Sequence, residues 1–446
     1  MVELLIIADD FTGALDTGVQ LAKKGIGTLV TVSACLNTPI PEGVQIISVD
    51  LETRHMSPSK AYDRVKRAAV FAKEHGIEHV YKKIDSTLRG NIGAELSALI
   101  DAFNGRPVAL IPAYPAAGRT TRGGYQLVDG VHLDKTQFAS DILNPVTDSY
   151  IPHIVSSNCD KRVVLANTES VMAEDKNTIY VLDAETEAQL AYIGKSLKAN
   201  GFSGLLSGCA GFAEYLPEFF DIRADTFENN VAVDSKVAVE SRAAVGNKVA
   251  VESRAAVEKG NILIVSGSVN RVSTGQCEYA FEQGVPGVML TSTQKSINGY
   301  WDSQEGENDI VDYARQCKSA GAFIIGCGTG SVHSGGPALL PGVTGEFVAG
   351  QISMAVEKLV SKADVSVLVI FGGDTAAAIM NRLGVSGIIP VTELMPGIVL
   401  SRFAAGSKQM CMVTKAGGFG SPDTIVKIIR HMDAAMNAAG DGLADI

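Results

Sequence analysis

Residues that could do chemistry are concentrated in residues 84–91, whose sequence is IDSTLRGN. This segment holds a carboxylate (Asp85), two hydroxyls and a guanidinium (Arg89), and two cations, Lys82 and Lys83, come just before it. Such a set can bind an anionic substrate and accept a proton from it. An apolar run before the segment predicts a strand, and periodic apolar residues after it predict a helix. The segment is therefore predicted to be a strand-to-helix turn, where α/β proteins bind ligands.

Further charged residues follow two other predicted strands. Asp9 and Asp10 come directly after the apolar run Leu4–Ala8, and Arg54 follows the apolar run at residues 44–49. Adjacent residues of a strand point to opposite sides, so we expect one of the two aspartates to face a binding site, and we favour Asp10. An aspartate at this point can also serve only as a helix N-cap. Arg54 could pair with a substrate carboxylate or form a surface salt bridge.

A polar segment follows at residues 112–124, which is rich in turn formers, hydroxyls and guanidinium groups. We predict a loop that displays these groups, Arg119 among them. The Asp129-Gly130 step beyond it is typical of a hairpin turn.

Three predicted strand-to-helix turns of the second half are rich in glycine, at residues 266–270, 371–375 and 415–423. Glycine lets backbone N–H groups approach phosphate oxygens, and the helix N-terminus adds partial positive charge. One such turn is weak evidence, because glycine is common there for steric reasons. Three in one half favour a nucleotide site.

The elements that must position these residues alternate along the whole chain, as short apolar strands, turns and amphipathic helices. This alternation is typical of parallel sheets covered by helices. A chain of 446 residues exceeds one ordinary core. We therefore predict an α/β protein with two domains, each a mostly parallel sheet covered by helices, and an active site in the cleft between them. The expected domains are residues 1–230 and 261–446, joined by a linker at 231–260 in which the sequence KVAVESRAAV occurs twice.

Composition excludes several function classes. A net charge of -11 disfavours nucleic acid and anionic membranes as partners. No apolar run approaches the roughly 18 residues of a membrane span, and the N-terminal residues predict a first strand, not a signal peptide. Seven scattered cysteines without a Cys-x-x-Cys pair indicate reduced thiols and a cytoplasmic location. The P-loop, protein-kinase and dinucleotide-binding motifs do not occur.

Five motifs together resemble the four-carbon acid sugar kinase family, which includes threonate and erythronate kinases. They are residues 8–14 (ADDFTGA), 82–90 (KKIDSTLRG), 118–121 (GRTT), 371–375 (FGGDT) and 415–420 (KAGGFG). The resemblance covers nearly the whole chain, and the duplicated linker departs from it. It implies an N-terminal domain that binds the sugar acid and a C-terminal domain that binds ATP. The terminal hydroxyl would be phosphorylated with Mg²⁺ bridging phosphate oxygens.

The resemblance also implies roles for single residues. The implied sugar-acid contacts are Asp10, Arg54, Lys82, Lys83, Ile84, Asp85, Arg89 and Arg119. The implied nucleotide contacts are Ser266, Ser268, Gly372, Gly373, Asp374, Thr375, Gly417, Gly418, Phe419 and Gly420. A carboxylate near the primary hydroxyl would accept its proton, with Asp85 as the first candidate and Asp10 as the second.

Two other classes of protein remain open at this point. A non-catalytic protein could hold a sugar acid without reacting it, although the candidate acids and the glycine turns are both present. A sugar-acid dehydrogenase is disfavoured by the missing dinucleotide motif. The sequence leaves open which stereoisomer is bound and the oligomeric state, a homo-oligomer included.

Overall fold

A computed structural model describes residues 1–32, 40–141, 144–224, 259–268, 270–327, 343–416 and 418–441. The chain divides into two compact units, Met1–Phe227 and Glu228–Ile446. The sequence duplication, Cys35 and Gly417 lie outside the described residues. The predicted domain boundaries therefore stay a prediction.

The first unit alternates strands and helices. Its strands are β1 (Leu4–Ala8), β2 (Thr28–Thr31), β3 (Ile46–Asp50), β4 (His79–Lys83), β5 (Val108–Ile111), β6 (Arg119–Arg122), β7 (Tyr125–Val128), β8 (Val131–His132), β9 (Arg162–Ala166), β10 (Thr178–Leu182) and β11 (Leu205–Gly208). Its α-helices are α1 (Phe11–Ala22), α2 (Pro58–Glu74), α3 (Ile92–Ala102), α4 (Ile151–Ser156), α5 (Glu187–Ala199), α6 (Ala210–Ala213) and α7 (Leu216–Phe220).

Eight of these described strands form one parallel sheet in the order β2-β3-β1-β4-β11-β5-β10-β9. Every residue of β1 is buried, as expected for a parallel strand covered by helices on both faces. The helix predicted after residues 84–91 is confirmed as α3, and the apolar stripe that predicted it, Ile92, Leu96, Leu99, Ile100 and Phe103, is buried.

A small antiparallel sheet of β6, β7 and β8 stands apart from the parallel one. Asp129 and Gly130 join β7 to β8 with positive φ angles of 50° and 79°, which confirms the predicted two-residue hairpin. The prediction of a loop across residues 112–124 is wrong for residues 119–122. These form β6, in which Arg119 and Thr121 are buried.

The second unit also alternates strands and helices, but its last three strands follow one another directly. Its strands are β12 (Asn261–Ser266), β13 (Gly287–Met289), β14 (Ala322–Gly326), β15 (Val365–Phe371), β16 (Gly387–Met395), β17 (Ile398–Ala405) and β18 (Lys408–Lys415). Its α-helices are α8 (Arg271–Glu282), α9 (Ser292–Ser296), α10 (Gln304–Ala320), α11 (Gly345–Lys362), α12 (Gly373–Arg382) and α13 (Thr424–Asp441).

The described strands of this unit lie in the order β13-β14-β12-β15-β18-β17-β16. The first five are parallel, and the last three are joined by antiparallel pairing. The predicted α/β class is confirmed, and the strands of each unit pair mostly in parallel. Within the described residues, no helix is both long and apolar enough to cross a membrane.

Strand register brings the predicted motifs to one edge in each unit. In the first unit, Ala8 pairs with Asp50 and with Lys83, so the turns after β1, β3 and β4 begin at the same level. In the second unit, Phe371 pairs with Ser266 and with Lys415, so the three glycine turns also begin together. Carboxyl ends of parallel strands are where such sheets place ligands.

Candidate functional site

Arg54 is the centre of a buried group of charges in the first unit, which we call the strand-end cluster (Asp9, Asp10, Arg54, Asp85 and Arg89). Its Nε donates to Asp9 Oδ2 and its Nη1 to Asp10 Oδ2, both at 2.8 Å, and its Nη2 lies 3.4 Å from Asp85 Oδ1. The side chain is only 9% exposed. A surface salt bridge, one of the two roles expected for Arg54, is therefore wrong. Contact with a substrate carboxylate stays a prediction.

Both aspartates after β1 contact Arg54, but Asp9 is 2% exposed and Asp10 16%. That only one of them faces a binding site, with Asp10 favoured, stays a prediction. The chain leaves its extended conformation after Asp10, which is the N-cap of α1 and accepts a hydrogen bond from Gly13 N at 2.9 Å. A Cβ at Gly13 would lie 2.6 Å from Asp10 Oδ1 and 2.8 Å from Lys83 Nζ. Glycine at this position therefore lets the helix start approach the charges closely.

Asp85 is surrounded by hydrogen-bond donors. Its Oδ2 accepts from Thr87 Oγ1 at 2.5 Å and from Arg89 Nε at 2.8 Å, and its Oδ1 accepts from Arg89 Nη2 at 3.1 Å. The turn can fold Arg89 back in this way because Leu88 and Gly90 both adopt positive φ, at 57° and 96°. Burial alone would raise the pKa of Asp85, but Arg89 and Arg54 hold it well below its usual value.

Asp10 differs from Asp85 in proton affinity. Burial raises the pKa of Asp10, Arg54 opposes this, and the neighbouring Asp9 adds to the increase, so the pKa lies above its usual value. A carboxylate with the higher pKa is the stronger base. These pKa directions favour Asp10 as the proton acceptor, whereas the sequence favours Asp85, and the identity of the base stays a prediction.

The two lysines at the end of β4 point to opposite sides of the sheet. Lys82 forms a buried ion pair with Glu95 on α3 at 2.9 Å, whereas Lys83 donates to the Ile84 carbonyl at 2.8 Å. Burial lowers the pKa of Lys83, but Asp9 and other nearby groups raise it above its usual value. Lys83 therefore adds a cation beside Asp9 and Asp10, while the charge of Lys82 is balanced by Glu95.

Sequence reasoning did not single out Glu95 or Asp50. Glu95 lies on the apolar stripe of α3, three residues after Ile92, and a carboxylate on such a stripe signals a buried partner. Asp50 is buried at the end of β3, and burial raises its pKa well above the usual value. Its Oδ1 accepts from Glu52 N at 2.8 Å, and its Oδ2 has no hydrogen-bond partner among the described residues. Asp50 therefore supports the turn that leads to Arg54.

The remaining predicted sugar-acid contacts, Ile84 and Arg119, expose little polar surface. The side chain of Ile84 is fully buried, so only its backbone is polar, and its N donates to Gly208 O at 3.0 Å. Arg119 is buried on β6 and donates to the Ala117 carbonyl. Gln126 on β7 donates to Ser86 O at 3.0 Å and so ties the small sheet to the turn at residues 84–91.

The glycine turns of the second unit contact one another. A Cβ at Gly267 would lie 1.9 Å from Thr375 Oγ1, so glycine is required for the first two turns to meet. Gly372 has a φ of 114°, a conformation that other residues rarely adopt. Here α12 begins at Gly373 and puts its first N–H groups beside the turn.

Other predicted nucleotide contacts are distributed around these turns. Ser266 is buried, and Ser268 Oγ accepts from Asn270 N at 3.2 Å. Asp374 is exposed in the first turn of α12. Gly420 has a φ of 86° and is exposed. Gly418 and Phe419 are partly buried, and Gly417 lies outside the described residues.

Lys415 was also missed as a site residue, although it ends an apolar strand in the same way as Lys82 and Lys83 end β4. It is 1% exposed, and its Nζ lies 4.6 Å from the centre of the Phe371 ring. Burial lowers its pKa to about 7. A lysine at the end of a predicted parallel strand is the signal that could have found it.

Comparison with known proteins finds a different family model in each half of the chain. Residues 4–216 match the sugar-binding N-terminal domain family, and residues 263–425 match the nucleotide-binding C-terminal domain family. A D-threonate kinase of Salmonella typhimurium is 28% identical over 97% of this chain and 98% of its own. A D-erythronate kinase of Heliobacterium modesticaldum is 27% identical over 97% of each chain.

Two further comparisons extend the match. A 3-oxo-tetronate kinase of Methylobacterium radiotolerans is 25% identical over 94% of this chain and 96% of its own. A solved structure from Salmonella typhimurium LT2 has the same fold, with a TM-score of 0.69 at 22% identity over 97% of this chain and all of that one. Both halves of the chain thus match one group of proteins. The chain belongs to the four-carbon acid sugar kinase family.

Proposed function

We propose that this protein transfers the terminal phosphoryl group of ATP to the terminal hydroxyl of a four-carbon sugar acid, threonate or erythronate, and so forms the 4-phosphate. The family assignment makes the chain a phosphotransferase that acts on a hydroxyl group. The observation that carries the finer proposal is the contrast between its two strand edges. One holds a cluster of carboxylates and cations, and the other holds converging glycine turns.

The sugar acid is assigned to the strand-end cluster of the first unit. Asp10 and Arg89 are its most exposed members, with side chains 16% and 25% exposed, so they are the members that a ligand can touch. A guanidinium suits a carboxylate, and Asp10 suits a hydroxyl that must lose a proton. Arg54 and Lys83 lie behind them and favour the ionised form of Asp10.

ATP is assigned to the second unit, where backbone N–H groups at the turn before α12 suit phosphate oxygens. The described residues contain no group of three metal-ligating side chains. Mg²⁺ in such reactions is held largely by phosphate oxygens and water, with one or two carboxylates. Asp374 is the carboxylate of the glycine turn that fits this role. The metal would neutralise charge on the phosphates as the phosphoryl group moves.

The proposal is tested by measuring ADP release with the purified, folded protein. The substrates are the stereoisomers of threonate and erythronate and 3-oxo-tetronate, with glycerate and the free sugars as controls. We expect Mg²⁺-dependent ADP release with a four-carbon acid and a product phosphorylated at the terminal carbon. Binding of an acid without ADP release would support the non-catalytic alternative, and nicotinamide reduction would support the dehydrogenase.

A further inference from the structure

Lys415 is buried beside the turn at the end of β18, and its ammonium donates to three neutral oxygen atoms. Its Nζ donates to Ser273 Oγ at 3.1 Å and to the carbonyls of Ala416 and Phe419, both at 3.2 Å. None of these three acceptors carries a charge. A buried ammonium with such partners is costly to keep, so its contacts with the turn need an explanation beyond packing.

A second side chain binds the same backbone. Gln276 Nε2 donates to Phe419 O at 3.1 Å and to Ser421 O at 3.0 Å. Gln276 lies three residues after Ser273 on α8, and both side chains are fully buried. One face of α8 and Lys415 therefore hold the carbonyl of Phe419 from the inside of the unit.

The orientation of that carbonyl fixes the orientation of the next N–H group. In a trans peptide the C=O and the following N–H point in opposite directions. Because Phe419 O points towards Lys415 and Gln276, Gly420 N–H points away from them. Gly420 is exposed and has positive φ. A Cβ there would lie 2.5 Å from Thr424 Oγ1 and 3.0 Å from Gln276 Nε2, so glycine lets the turn approach these side chains.

We propose that Lys415 and Gln276 are positioning residues that orient the Phe419-Gly420 peptide so that its N–H faces a phosphate of the bound nucleotide. This inference rests on the proposed assignment of ATP to the second unit. Neither residue need touch the nucleotide, since they act through the backbone of the turn.

The charge of Lys415 gives this role a pH signature. Burial lowers the pKa of Lys415 to about 7, so the ammonium is charged at pH 6 and largely neutral at pH 8. The titratable neighbour on α8 is Cys277, whose pKa is raised by burial, so it stays a neutral thiol over this range. From β15 the ring of Phe371 faces the ammonium. Nucleotide phosphates should therefore bind more tightly below pH 7 than above it.

The test measures the dissociation constants of ATP and of the acid separately by calorimetry, for wild type, Lys415→Met and Gln276→Met. Loss of these contacts should weaken ATP about tenfold and leave acid binding unchanged. Lys408→Met is the matched control, because Lys408 begins the same strand and is paired at the surface with Asp364. That variant should bind both ligands as wild type does.

The ratio of ATP affinities between wild type and Lys415→Met should be largest at pH 6 and fall towards pH 8. Titration of the nucleotide itself is common to both proteins and cancels in this ratio. Gln276→Met carries the test alone if Lys415→Met does not fold. The inference is overturned if wild type binds ATP and the folded variants bind it within twofold of wild type. Failure of wild type to bind ATP would instead overturn the proposed function.

Discussion

The two units both place their candidate sites at the carboxyl ends of parallel strands, but the sites consist of different chemical groups. In the first unit the edge is occupied by side-chain charges, with Arg54 between three carboxylates. In the second unit it is occupied by backbone, with Gly267 against Thr375 and the buried Lys415 beside the turns. The architecture is therefore common to the two, and the chemistry depends on which atoms fill the turns.

This difference indicates how each edge should respond to change. In a cluster of buried charges each charge is neutralised by its neighbours, so removal of one side chain leaves the opposite charges buried without a partner. A backbone site depends on close approach, so an added methyl group should be enough to damage it. The four predictions below exploit this contrast.

The largest effect is expected for Arg54→Met, which would leave Asp9, Asp10 and Asp85 buried without their shared cation. Breaking a buried ion pair from one side costs about 3–5 kcal/mol of unfolding free energy. Denaturant unfolding followed by circular dichroism measures this loss. Arg67→Met, at an exposed position of α2, is the control.

The single tryptophan, Trp301, is buried in the second unit, so its fluorescence reports on that unit. Its transition, compared with that of circular dichroism, tests whether the loss of stability is confined to the first unit. An Arg54→Met protein as stable as wild type would contradict the central position of Arg54 in the cluster.

Asp10→Asn should lower kcat by about 100-fold or more if Asp10 is the proton acceptor. Asparagine can still accept the hydrogen bond from Gly13 N, so the cap of α1 is retained. ATP affinity should not change. Asp85→Asn should instead raise KM for the acid, because the guanidinium groups of Arg89 and Arg54 would no longer be held in position by the carboxylate that both contact. A loss of kcat confined to Asp85→Asn would restore the order expected from the sequence.

Gly267→Ala should weaken ATP about tenfold and leave the acid affinity unchanged, because its methyl group would overlap Thr375. Thr375 is β-branched and buried, so the turn and not the side chain must move. Gly350→Ala is the control, since a Cβ there meets nothing within 4 Å. Calorimetric titration with each ligand measures both affinities, and equal loss of both would refute the assignment of one ligand to each unit.

The smallest effect is expected for Asp50→Asn, where the sign of the change in unfolding free energy is informative. The pKa of Asp50 is higher in the folded than in the unfolded chain, so this carboxyl stabilises folding below about pH 4 and loses that effect as the pH rises through its folded-state pKa. Asp50→Asn should therefore be more stable than wild type at neutral pH.

Asp85→Asn should show the opposite sign, because the pKa of Asp85 is lowered by folding. Its stabilising effect is present above about pH 4 and is lost as the pH falls through the folded-state pKa. Asp85→Asn should thus be less stable than wild type at neutral pH, with the difference shrinking in acid. Unfolding free energies measured from pH 3 to pH 7 test both variants, and stability changes of equal sign at neutral pH would contradict the opposite pKa directions of Asp50 and Asp85.

Much of the fold was predictable from local pattern. The strand Leu4–Ala8 was predicted at its observed bounds, and the Asp129-Gly130 step was predicted to be a hairpin turn. β6 was missed because its residues Arg119–Arg122 are polar, and its pairing with β7 is a tertiary property that leaves Arg119 and Thr121 buried. The duplication after residue 230 was visible only in the sequence, since it lies outside the described residues.

The sequence by itself determined the family, the α/β class and the residues that follow the strands, because strand periodicity and strand-end motifs are local properties of a chain. Tertiary structure decided which partners each of those residues has in ion pairs and hydrogen bonds. Lys82 is paired with Glu95, Arg54 with both aspartates, and Lys415 with backbone oxygens. Proton affinity depends on burial and on neighbours brought from distant segments, so the ranking of Asp10 above Asp85 could only come from the folded chain.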